Sequence, residues 1–178
     1  AFCDATGSRS PVLGDARRVA DQVDACAAFM RGRYGAEALL LYFQAYTSTY
    51  APAFRLRELY DEALSRAAFR GLIVSTRPDC LDAEKADLLA SYAGRGLDVW
   101  VELGLQSSND ETLVRVNRGH TVADFDSALG LLREREIPVS AHVIFGLPGE
   151  GELEMLGTIG FLAERRIEGI KIHDLHIP

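Results

Sequence analysis

Apolar and polar positions along this chain change period repeatedly, from alternation to helical spacing and back. Five short runs read as strands: residues 38–43 (ALLLYF), 72–75, 97–103, 139–145 and 169–173. In the third, Val99, Val101 and Leu103 alternate with Trp100 and Glu102, and the run is predicted to break at Gly104. Helical spacing fills the intervals at 15–33, 52–69, 82–93, 109–116, 121–136 and 151–166. In the first helix Val19, Val23, Cys26 and Met30 share one stripe, which predicts a packed thiol at Cys26. Ser108 followed by Glu111 predicts a capping box at the start of the 109–116 helix. Residues 1–14, rich in Gly, Ser and Pro, read as a loop.

Successive strand centres lie about 30 residues apart, or about 40 where two helices intervene, which is the repeat of a βα unit and predicts a parallel sheet. Both a barrel and a doubly wound sheet fit this alternation. The strands favour the barrel. Glu102, Ser140, His142, Lys171 and His173 place polar groups at alternate positions, whereas an open sheet covered on both faces is apolar on both. A barrel lining a cavity accepts such groups and places its site at the carboxyl ends of the strands. Five strands do not close eight. The expected fold is therefore α/β, a partial (β/α)6 TIM-like barrel of parallel strands, incomplete at the N-terminus, with residues 1–178 as one domain. No G-x-G-x-x-G follows a strand, which lowers the dinucleotide-fold reading.

Composition narrows the function classes. The net charge of −7, from 19 basic and 26 acidic residues, argues against broad nucleic-acid binding but leaves room for a local basic groove. No apolar run approaches the ~18 residues of a membrane span. Cys3, Cys26 and Cys80 are odd in number and widely spaced, which makes no disulfide framework and predicts a reducing, cytoplasmic setting.

The polar strand ends carry the candidate chemistry. A carboxylate on the Glu102 strand face requires a partner. Glu102, His142, Lys171 and His173 are candidates for positioning a substrate or moving a proton, with a hydrogen-bonded network filling the barrel as the equal alternative. The Arg77 and Asp79 pair is read either as part of the site or as a local ion pair under a loop. The Gly146–Glu150 stretch is read as a site turn or an ordinary strand-to-helix turn.

Taken in order, Phe2-Cys3, Tyr42-Phe43-Gln44-Ala45-Tyr46-Thr47, Thr76-Arg77-Pro78-Asp79-Cys80, Glu102-Leu103-Gly104-Leu105-Gln106-Ser107, Asn117-Arg118-Gly119-His120-Thr121, Gly146-Leu147-Pro148-Gly149-Glu150 and Lys171-Ile172-His173 resemble the radical S-adenosylmethionine (radical SAM) superfamily. Within it, the likeness is to the group of the Elongator catalytic subunit and its shorter bacterial relatives. The resemblance implies a [4Fe–4S] cluster held by three cysteines, and reductive cleavage of SAM to a 5′-deoxyadenosyl radical. It further implies an electron donor such as flavodoxin or ferredoxin, and a role in modifying the wobble uridine of tRNA. Cys3 matches the last of the three cluster cysteines and is the metal-ligand candidate. The other two have no counterpart, so the reading infers an N-terminal truncation and an inactive fragment. By the same resemblance Gln44 and Ala45 meet the SAM amino group, although many relatives carry Gly-Gly-Glu there. Gln106 and Ser107 face the ribose, Arg118 pairs with the carboxylate, and Ile144 and Gly146 lie against the adenine. Ser75 departs from the Glu of Elongator-like relatives. Two other readings stay open. One is a divalent-metal-dependent barrel lyase or aldolase holding its ion through Glu102, His142 and His173. The other is a non-catalytic, degenerate fragment.

Overall fold

A computed structural model describes residues 11–13, 17–44 and 46–175. Cys3, Ala45 and His176 lie outside the described residues. The elements follow one another as α1 (Val19–Tyr34), β1 (Leu39–Phe43), α2 (Ala53–Leu64), β2 (Phe69–Thr76), α3 (Ala83–Ala93), β3 (Asp98–Gln106), α4 (Asp110–Arg115), α5 (Val122–Arg133), β4 (Val139–Phe145), α6 (Glu152–Glu164) and β5 (Gly169–Asp174). Short 3-10 turns stand at Pro11–Leu13 and Pro78–Cys80.

All strand pairings are parallel and the spatial order is β1-β2-β3-β4-β5. Sequential order is that of a barrel wall; a doubly wound sheet reverses at a switch point. The sheet curls. Tyr42 on β1 and Lys171 on β5 belong to opposite edges, yet their hydroxyl and ammonium meet at 3.0 Å. The fold is therefore an incomplete TIM-like barrel, as the polar groups at alternate strand positions predict.

Strand alternation sorts the two faces. Leu72, Val74, Val99, Val101, Leu103, Leu105, Val139, Ala141 and Val143 are buried against the helices, among Leu56, Tyr60, Leu89, Tyr92, Phe125, Leu129 and Leu162. The positions between them turn to the concave side. Register places Tyr42 beside Ile73, Ile73 beside Trp100, Ser75 beside Glu102, Glu102 beside Ser140, and His142 beside Lys171.

Several boundaries differ from expectation for local reasons. Strand β3 does not break at Gly104 but runs to Gln106, with a register irregularity between Gly104 and Gln106 that lets Gln106 pair with Val143. The helix expected over 52–69 ends at Leu64, because Phe69 is drawn into β2 opposite Leu39. The cap of α4 is Asn109, whose side-chain oxygen accepts from Glu111 N at 2.9 Å. The Ser108 amide and hydroxyl are taken by Thr158 of α6 instead, at 3.0 and 3.1 Å. The capping box belongs to α5, where Thr121 and Asp124 satisfy each other. On α1 the buried stripe is Ala20, Val23 and Ala27; Met30 is exposed and Cys26 only half-buried. The Cys26 thiol lines an apolar cavity of about 480 Å³ with Val23, Leu41 and Phe69, and burial pushes its pKa up.

Candidate functional site

The carboxyl ends of β1 to β5 and the loops after them make the mouth of the half-barrel. Its centre is Gly104. A methyl group there would stand 2.6 Å from Gln106 Nε2 and 2.8 Å from Arg118 Nη2. The bare Cα thus lets two polar tips close over the strand, which only glycine permits. Gln106 is buried and sits in the left-handed region at φ 72, a conformation a non-glycine residue holds only when its surroundings enforce it.

The segment carrying Arg118 is pinned from several sides. Asn117 and Gly119 both adopt positive φ, at 50 and 79, and turn the backbone around Arg118. Arg77 binds Asp79 in a two-pronged pair (Nε–Oδ1 2.9 Å, Nη2–Oδ2 2.6 Å) and also donates to the Gly119 carbonyl at 3.1 Å. The ion pair therefore exists, and it also clasps the Arg118 loop. Behind the loop His120 is buried, with Nε2 3.3 Å from the Leu105 carbonyl. Burial, then the Arg118 charge, lowers its pKa.

Ile144, half-buried, lies on the concave side beside His173, one residue beyond the Val143 partner of Gln106. Gly146 leaves β4 at φ 81. Gln44 is exposed at the exit of β1. The buried Ser107 hydroxyl donates to Glu150 and accepts from Asn109 N at 3.0 Å, so it ties the β3 end to the turn after β4. In that turn Gly149, at φ 85, leaves room for the Arg115 guanidinium, which donates to the Pro148 carbonyl at 2.8 Å. Gln106, Arg118, Ile144 and Gly146 thus share one end of the sheet.

Deeper on the concave face, side chains from three other strands converge on Glu102 of β3. Its Oε2 accepts from the Tyr42 hydroxyl, lies 2.5 Å from His142 Nε2 and 3.7 Å from Lys171 Nζ. The partner that the sequence demands for this carboxylate is thus threefold. Lys171 also donates to the Tyr42 oxygen, and the His173 ring packs against His142 at 5.4 Å between centroids. Burial, then the Glu102 charge, holds the Tyr42 phenol far above its ordinary pKa. Burial pulls His142 below its ordinary value, against the opposing effect of Glu102. Tyr42 is the member that sequence reasoning passed over. Its signal was a lone hydroxyl at an alternate position in an otherwise apolar strand, LLLYF.

Cation chemistry at Glu102, His142 and His173 gains no support. Among the described residues no three His, Cys, Asp or Glu side chains are placed to hold a metal ion, and Glu102 Oε2 is already surrounded by donors. Cys80 stands in the turn after β2, where burial raises its thiol pKa, and Cys26 stands on α1; both are free cysteines. No described helix is long and apolar enough to cross a membrane.

Comparison with known proteins supplies the family. The sequence model of the Radical SAM superfamily matches residues 1–162. Protein YhcC of Escherichia coli (strain K12) is 49% identical over 142 residues, covering 80% of this chain and 46% of that protein. The chain thus spans about half the length of this curated relative. The tRNA uridine(34) acetyltransferase of Methanocaldococcus infernus is 40% identical over 79 residues, 44% of this chain and 14% of that enzyme. Among solved structures, archaeal Elp3 of M. infernus superposes with a TM-score of 0.78 at 19% identity, covering 93% of this chain and 44% of that one; at this identity the likeness speaks for the fold. With the family model covering nearly the whole chain and the strand-end residues gathered at one mouth, this protein belongs to the radical SAM superfamily.

Proposed function

We propose that residues 1–178 form the core domain of a cytoplasmic radical SAM enzyme and bind SAM at the carboxyl ends of the strands. The observation that carries this reading is the meeting of Gln106 and Arg118 over Gly104. A guanidinium there offers paired donors to the carboxylate of the methionine moiety. The Gln106 carboxamide offers both a donor and an acceptor to a ribose hydroxyl. Ile144 supplies an apolar surface for the adenine, and the positive-φ turn at Gly146 allows close approach of the backbone. Gln44, Ala45 and Ser107 complete the assigned set; Ala45 lies outside the described residues, and Ser107 acts by fixing the β3 end.

Cys3 is assigned as a ligand of the [4Fe–4S] cluster in the intact protein. It too lies outside the described residues, and Cys26 and Cys80 do not fit that role. When bound, the cluster supplies the electron for reductive cleavage of SAM, received from a donor such as flavodoxin or ferredoxin. This chain's residues bind and orient the nucleotide. A tRNA substrate is supported by the tRNA uridine(34) acetyltransferases among the relatives, and by nothing in the net charge.

The test is anaerobic reconstitution of the intact protein with iron and sulfide. The expected result is the visible absorption of a [4Fe–4S] cluster and release of 5′-deoxyadenosine from SAM. A colourless protein that leaves SAM intact overturns the reading.

A further inference from the structure

The polar network below the SAM site has a directional chemistry that its location alone does not explain. Glu102 Oε2 lies 2.5 Å from His142 Nε2, so with the carboxylate ionised the imidazole carries its proton on Nε2. The other ring nitrogen, Nδ1, is then the basic atom. No hydrogen bond to it is made by the described residues, and the His142 side chain keeps 15% of its surface exposed on the concave face. His120 shows the contrast, since its Nδ1 is sealed without a partner. Tyr42 from β1 and Lys171 from β5 converge on the same carboxylate and keep it an acceptor rather than a donor.

We propose that His142 Nδ1 is a proton-accepting atom of the barrel interior, serving a substrate with a weakly acidic N–H or O–H. In this arrangement Glu102, Tyr42 and Lys171 are positioning residues. The proposal rests on the SAM reading only in placing a substrate above the concave face. The step is heterolytic. The substrate X–H bond breaks, its electron pair stays on X, and a new N–H bond forms at Nδ1. The resulting imidazolium lies against the Glu102 carboxylate, which orients the ring and stabilises the charge, as carboxylates do in catalytic imidazole pairs. The groups facing His142 are Glu102 of β3, Lys171 and His173 of β5, and Tyr42 of β1 through the shared carboxylate. Glu102 favours the protonated imidazole, and Lys171 and His173 oppose it.

Nitrogen-detected NMR of the full chain, without SAM, tests the assignment, followed by diethyl pyrocarbonate labelling mapped by peptide mass spectrometry. Neutral His142 is expected as the Nε2–H tautomer. Its titration midpoint shifts down in Glu102→Gln and up in Lys171→Met, and the reagent labels His142 while sparing His120. A Nδ1–H tautomer, midpoints that do not move in opposite directions, or an unlabelled His142 in the folded chain overturns the proposal. Should Glu102→Gln fail to fold, Lys171→Met and the wild-type tautomer decide it. None of these readouts uses SAM, so their failure is distinguishable from failure of the SAM site.

Discussion

At Gly104 the β3 backbone lacks a Cβ, and the tips of Gln106 and Arg118 occupy that space. Both are far ends of flexible side chains, which can move aside without disturbing the strand. Gly104→Ala is therefore expected to leave the melting temperature within a few degrees of wild type. The same substitution is expected to displace both polar tips and, on the proposed SAM assignment, to weaken SAM binding about 10- to 100-fold, the range of one or two charge-assisted hydrogen bonds. Equilibrium dialysis beside a thermal melt separates the two effects; a folded variant with unchanged affinity contradicts the assignment. The residues around this point were legible to different degrees. Glu102 announced itself as an acid inside an alternating strand, and its need for partners is met by Tyr42, His142 and Lys171. Tyr42 was not legible as a site residue, because a tyrosine in a strand is ordinary and its role depends on the curl that brings β5 across to it.

The α4–α5 segment shows how an element holds a candidate site residue. Arg118 lies between two short helices, each with a side-chain cap, Asn109 for α4 and Thr121 for α5. Thr121→Ala removes one half of a capping box and is expected to cost about 1 kcal/mol in urea unfolding, with SAM affinity falling alongside because the Arg118 loop enters that cap. Leu103→Ala, on the opposite face of β3, empties a fully buried site. It is expected to cost about 2–5 kcal/mol in the same measurement. A cost below about 1 kcal/mol would mean that β3 is not the centre of the core. Strand identity and order were legible because parallel βα units repeat audibly in the hydrophobic pattern; β4 was placed at its observed bounds. The misplaced boundaries share one cause. Ser108, Phe69 and Gly104 were assigned from local signals, and tertiary partners took them: Thr158 for Ser108, Leu39 for Phe69, and β4 for the strand beyond Gly104.

Across the whole molecule the half-barrel holds two histidines with depressed pKa values, His120 buried behind the mouth and His142 half-buried on the concave face. In the unfolded chain both titrate near 6.5. The folded state binds fewer protons than the unfolded state between that value and the lower folded ones, so stability is present above pH 6.5 and is lost as pH falls through the folded values. Urea unfolding at a series of pH values from about 7.5 to 5 should show a declining free energy, and His120→Asn should flatten part of that slope. A flat profile in the wild type contradicts the burial of these rings as neutral groups. At this scale the sheet's curvature could be inferred from polar residues at alternate strand positions, whereas the pairing of specific groups across the barrel could not, since it depends on how far the sheet curls to bring β5 over β1 and β3. The claim on which the account turns is that Gln106 and Arg118 form a SAM-binding mouth. It is tested most directly by equilibrium dialysis of SAM against the intact, anaerobically reconstituted protein and its Arg118→Ala variant. The account predicts saturable binding in the wild type and a loss of about tenfold or more in the variant; equal affinity in the two, or no binding to the wild type, would contradict it.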